Sequence, residues 1–142
     1  MPVAALALAD LALLLVAAGL GLTALLGWLR HRGSGRLPAA KIAAHLSLQL
    51  IGIATWVAFL VTGAAAVAWV AFAVLTVGQV FGDLLMFVSY RARYPGTARP
   101  HYLAVGGDVL SFRRPAPALH ALVGALAWFS MLAICIAATV AG

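Results

Sequence analysis

Four long apolar stretches dominate the chain, and its polar residues collect between them. The stretches run from about Val3 to Leu29, Ala39 to Val61, Ala64 to Tyr90 and Ala118 to Ala141. A helix needs about 20 mostly apolar residues to cross a bilayer, and each stretch is that long. The runs are not the roughly 10-residue alternating segments of a membrane barrel. Lipid offers the backbone no partners, so a spanning segment must satisfy its own hydrogen bonds as a helix. The pattern predicts an all-α fold: an integral membrane four-helix bundle, one domain over residues 1–142, multi-pass in the cell membrane.

Composition agrees. The chain has 142 residues, 65% of them hydrophobic and 8% charged, with a mean hydropathy of +1.11. A soluble domain carries about 25% charged residues, and one of this size has no core large enough for so much apolar surface. The net charge of +6 would suggest nucleic acid in a soluble protein, but its distribution explains it otherwise. Arg30, Arg32, Arg36 and Lys41 cluster around the first connection. Arg91, Arg93, Arg99, Arg113 and Arg114 lie in the long loop 91–117. The connection at Thr62 and Gly63 has no basic residue, and neither terminus has one. This bias predicts cytoplasmic basic loops and both termini on the outer side. The lipid bilayer, with its anionic headgroups, is the partner the charge suits. The basic loops lack the aromatic pattern of a nucleic-acid platform.

Local signals fit these boundaries. Met1-Pro2-Val3 has no basic n-region, so no cleaved signal peptide is expected. Pro38, Pro115 and Pro117 suit helix starts, where the missing N–H has no partner to lose. Trp28 and Tyr90 suit interfacial anchors. Cys135 is the single cysteine, which permits no internal disulfide and reads as a small apolar side chain. The loop 91–117 reads as an interfacial connection in which His101 and Asp108 are solvated. The halves also show a faint parallel repeat: long helix, basic loop, proline, then a helix with one histidine near its start.

Ionisable residues inside a span are costly and mark function. Asp10, His45, Asp83 and His120 are such residues, with Gln49 as a polar neighbour. Asp10 lies near the outer end of its helix and reads as an interfacial carboxylate. At 1.5 Å per residue, His45 lies about 6 Å beyond Lys41, His120 about 9 Å beyond Arg114, and Asp83 about 12 Å before Arg91. All three fall in the inner leaflet. The face of His45 carries Gln49, Gly52 and Trp56, and that of His120 carries Gly124, Ala127 and Met131.

Three readings of these residues stand open. In the first they pack helices, since small residues allow close approach and His and Gln bond across helices; Gly78 and Gly82 supply such a pattern before Asp83. In the second, His45 and His120 are the axial ligands of one b-type haem, and Gly52 and Gly124 leave room for the macrocycle. There Arg36, Lys41, Arg113 and Arg114 meet its carboxylates, and Gln49 and Asp83 stand behind the ligands. In the third, His45, Asp83 and His120 form a metal-ion or proton site. Motifs for phosphate binding, serine hydrolysis, CxxC or HExxH chemistry are missing, and a chain with no Glu and three Asp offers no paired carboxylates for glycoside hydrolysis.

The arrangement of His45 on the second span and His120 on the fourth, carried by the segments His45-Leu46-Ser47-Leu48-Gln49 and His120-Ala121-Leu122-Val123-Gly124, resembles in its architecture the small four-helix membrane cytochromes b of the cytochrome b561 type. That resemblance implies haem b and electron transfer. Such cytochromes often hold two haems on four histidines, but His31 and His101 lie in loops here, so one haem is expected. One haem near one face implies a protein partner in the membrane, or a quinone, to complete transfer. The expectation is therefore a one-haem electron-transfer protein. The alternative is a non-catalytic subunit or assembly factor packing through the small residues of the third span, and ion transport comes third.

Overall fold

The computed structural model describes residues 2–31, 38–97 and 99–141, and these are helical or in short connections. The helices are α1 (Pro2–His31), α2 (Ala39–Thr62), α3 (Ala65–Arg93), α4 (Tyr102–Leu110) and α5 (Pro115–Ala141). All but α4 are long and apolar enough to cross a membrane, the length and composition of the spans in a multi-pass helical membrane protein. Their surfaces agree: Leu8, Leu50, Val61 and Val140 are 62%, 68%, 81% and 83% exposed. In water such a surface would drive aggregation; against lipid chains it is the favourable face.

Two boundaries differ from the sequence pattern by three residues, and α1 runs two residues past Leu29, so that His31 ends a helix rather than lying in a loop. The fourth span begins at Pro115, three residues before Ala118, because proline is accommodated in the first helical turn. The third runs on to Arg93. Within the loop 91–117, α4 had no clear signal: its centre is Gly106-Gly107-Asp108, poor helix-forming residues. Packing supplies what propensity lacks. Val105 and Val109, one turn apart, are buried against the bundle. At the start of α4, His101 is the cap, its Nδ1 accepting from the Ala104 N–H at 3.2 Å. His101 is exposed as expected, but it has this structural task.

The α2–α3 turn is two residues long. Gly63 takes φ 68 and donates its N–H to the Phe59 carbonyl, a left-handed cap that glycine adopts without a Cβ clash.

Helices α2 and α3 form one closely packed pair, and α1 and α5 form the other. The pairs meet more lightly, α1 on α2 and α3 on α5, which places α2 and α5 on a diagonal. This pattern is unchanged if the first half (α1, α2) is exchanged with the second (α3, α5). The faint repeat in sequence therefore has a counterpart in packing. One core lies between the pairs, away from α4, around Leu14, Trp56, Leu75 and Met131. Trp56 donates Nε1–H to the Ala7 carbonyl at 3.1 Å, and Trp128 donates to Thr76 Oγ1 at 2.9 Å. Both bonds tie the two pairs together, each within one half of the chain, where hydrocarbon leaves an indole N–H no other partner. Cys135 lies in this core.

Asp10 is not interfacial. It is 1% exposed, and its carboxyl oxygens make no hydrogen bond of normal geometry with the described residues. Ala7, Leu14 and Ala17 are also buried, and Asp10 shares their helix face, spaced three and four residues apart. Face, not depth, decided its environment.

Candidate functional site

His45 on α2 places Nδ1 2.8 Å from the Gly78 carbonyl of α3. His120 on α5 places Nδ1 2.8 Å from the Ala17 carbonyl of α1. A carbonyl only accepts, so each Nδ1 carries a proton, and in the neutral ring the lone pair is then on Nε2. The tautomers are thus set by the backbone, and both rings offer the same free nitrogen. Their centres are 6.2 Å apart and their planes stand at 86°.

A glycine one turn beyond each carbonyl makes room for the ring. A Cβ on Gly21 would lie 2.8 Å from His120 Cε1, and one on Gly82 would lie 3.0 Å from His45 Cε1. The device is reciprocal: the second helix of each half sends its histidine to the first helix of the other. Leu14, Gly21, Leu25 and Trp28 line the central cavity, and 61 residues on Leu75, Gly82, Met86 and Ser89 line it too. On the histidine helices the interval is 75: Ile42, His45, Gln49 and Ile53 answer to Pro117, His120, Gly124 and Trp128. The cavity, about 290 Å³, is mainly apolar. Gln49 and Gln79 supply side-chain amides, with Gln49 Nε2 3.4 Å from Gln79 Oε1.

The other expected residues divide. Gly124 lines the cavity, with the Gln79 amide 3.7 Å from where its Cβ would stand. Gly52 does not: it is buried between α2 and α3, and the Leu75 side chain fills the space its Cβ would need. Arg114 lines the cavity, whereas Lys41 and Arg113 do not. Arg36 lies outside the described residues. Gly78 and Gly82 face Gln49, Leu48 and His45 of α2, so these small residues serve the bundle's own packing rather than an outside partner.

Asp83 does not join the histidines. It follows Gly82 by one residue, a turn of about 100° around the helix. Its Oδ2 accepts from the Tyr102 hydroxyl at 2.6 Å. Among the described residues no three His, Cys, Asp or Glu side chains gather to hold a metal ion. The three-residue ion site is not assembled. The bond to Asp83, with burial and the carboxylate charge added, pushes the Tyr102 hydroxyl up to about 12. Because the folded value is raised, the contribution of this bond is intact below the ordinary tyrosine value of about 10 and is lost as pH rises through the folded value. An absorbance titration of tyrosinate in the detergent-solubilised protein should show one ionisation near the upper value, gone in Tyr102→Phe.

At the α4 end, Asp108 is half-buried and paired rather than solvated, with 10% of its side chain exposed. It pairs with Arg93 and with Arg114 Nη2 at 3.0 Å, and Tyr94 donates to its Oδ1 at 2.9 Å. Burial alone would raise its pKa. The hydrogen bonds from Tyr94 and Arg93 and the charges of Arg93 and Arg114 outweigh that and hold it below the usual carboxylate range. Arg93 was not singled out by the sequence. It lines the cavity, and its Nε–H is buried with no hydrogen-bond partner among the described residues.

No protein-family model matches the chain, and no curated protein or solved structure matches it either.

Proposed function

We propose that this membrane protein binds one b-type haem between α2 and α5, with His45 and His120 as axial ligands, and exchanges electrons with a partner in the same membrane. One observation carries the reading. Two imidazoles approach each other from diagonal helices, each with Nδ1 held by a backbone carbonyl and with no hydrogen-bond partner at Nε2 among the described residues. Ligating histidines are characteristically held in this way through the other ring nitrogen. The spacing also suits it. Metal–imidazole bonds of about 2 Å, with about 1.1 Å from ring centre to nitrogen, separate two axial rings by about 6 Å, against the 6.2 Å here.

The remaining lining fits the same group. A bound b-type haem supplies one-electron chemistry at iron, at a potential set by its ligands and burial. The chain's own residues set those conditions. Ala17 and Gly78 hold the ring tautomers, and Gly21 and Gly82 let the rings pack against backbone. Leu14, Leu75 and Met131 close the cavity toward the core and exclude water. Arg93 and Arg114 present guanidiniums to the carboxylates of such a ligand, and the unpartnered Nε–H of Arg93 is a donor awaiting an acceptor. The reciprocal lining suits a ligand that takes equal donors on two faces. The basic bias of the loops supports a cytoplasmic α4 end with both termini outside.

The test is haem titration of the purified protein followed by absorbance. The expected result is saturation at one haem per chain, with a Soret band and sharp α and β bands on reduction, lost in His45→Ala and in His120→Ala. An unchanged spectrum in both variants, or none in the parent protein, overturns the proposal.

A further inference from the structure

Helix α3 is longer than a bilayer core requires. Its 29 residues span about 43 Å at 1.5 Å per residue, against a hydrocarbon thickness of about 30 Å. Asp83 lies 18 residues from Ala65, about 27 Å along the axis, which sets it at the inner hydrocarbon boundary. Tyr102 is hydrogen-bonded to Asp83 and packs edge-on against Phe87 with ring centres 5.6 Å apart. Asp108, six residues further, reaches Arg93 at the end of α3. Helix α4 therefore starts at the hydrocarbon boundary and runs outward beside α3 through the headgroup layer.

The outward side of this element is apolar and basic together. Leu103 is 84% exposed, and Leu110 and Phe112 are each 49% exposed. Arg91 near the end of α3, and Arg99 and Arg113 on the segments flanking α4, are exposed as well, and none of the three forms an ion pair among the described residues. No carboxylate answers these cations: Asp83 and Asp108 are engaged and Asp10 is buried in the core. An exposed leucine at the boundary and exposed guanidiniums without ion pairs on the adjoining segments match an acyl chain and a phosphate.

We infer that the outer face of α4 is a binding surface for anionic phospholipid, with Leu103 among the acyl chains and Arg91, Arg99 and Arg113 on the headgroup. This does not depend on the haem reading. The contribution of each arginine is electrostatic and screened by salt.

The experiment uses the full chain carrying Cys135→Ala and Leu103→Cys, labelled with an environment-sensitive fluorophore and reconstituted in phosphatidylcholine nanodiscs. Acyl-spin-labelled phosphatidylglycerol and acyl-spin-labelled phosphatidylcholine are compared as quenchers at equal mole fraction. The expected result is at least twofold stronger quenching by the anionic lipid. That ratio should fall toward one in high salt and when Arg91, Arg99 and Arg113 are replaced by Gln. Replacing Arg32, Arg36 and Lys41 by Gln, in the other basic region, should leave it unchanged. Equal quenching by the two lipids overturns the inference, as does a preference that survives the Arg91, Arg99 and Arg113 substitutions. Quenching by neither lipid, with fluorophore self-quenching between chains, also overturns it and assigns the face to a second copy of the protein.

Discussion

Alanine at Gly21 or at Gly82 is expected to weaken haem binding about tenfold or more, while alanine at Gly19 leaves it unchanged. A Cβ on Gly21 falls 2.8 Å from His120 Cε1, and one on Gly82 falls 3.0 Å from His45 Cε1. Either ring must retreat from its carbonyl. The backbone bond that fixes its tautomer is then stretched or lost, and losing such an outer partner lowers metal affinity by about 10–100-fold. Gly19 has nothing within 4 Å of its Cβ position, and alanine favours a helix over glycine. The difference between these variants therefore reports the ring cradle and not helix propensity. Haem dissociation followed by transfer to an apo-globin acceptor measures it. Equal affinity in all three would show that the close approach of ring to backbone is irrelevant to the site.

Asp108→Ala is expected to destabilise the protein by about 2–3 kcal/mol, the scale of removing one partner from a partly buried charged network. The carboxylate holds Arg93, Arg114 and the Tyr94 hydroxyl at once. Without it two guanidiniums face each other, and α4 loses one of its ties to α3 and its ion pair to Arg114. Thermal unfolding in detergent, followed by helical circular dichroism, gives the value. The pH dependence has a definite sign. The folded pKa of Asp108 is depressed, so its contribution is fully present above the ordinary carboxylate value of about 3.9 and is lost as pH falls below it through the folded value. A variant as stable as the parent at neutral pH would mean that the cluster contributes nothing net.

The spans were legible because lipid imposes a length and an apolar composition that few other contexts demand. His45 and His120 were legible because a titratable group inside a span is rare. Their shared depth followed from counting residues to the nearest basic ones. The supports were not legible. Ala17 acts through its carbonyl, which no side-chain pattern reveals, and Gly21 lies 99 positions from the histidine it accommodates. Depth counting also placed Asp83 beside the histidines, but one residue of helix rotation turned it to Tyr102. Asp10 was misjudged in the same way, although its three- and four-residue spacing from Ala7, Leu14 and Ala17 marks a buried face. Helix α4 and the burial of Asp108 depend on contacts with α3 and α5, and a segment rich in Gly, Pro and Arg gives no local sign of them.

The central claim is that two imidazoles ligate one iron. The most direct measurement is the low-temperature electron paramagnetic resonance spectrum of the oxidised, haem-loaded protein. Two nitrogen ligands on the haem axis give a low-spin ferric centre, and the account predicts a single low-spin species at one per chain. A predominantly high-spin signal would mean that His45 and His120 do not both bind iron, and would contradict it.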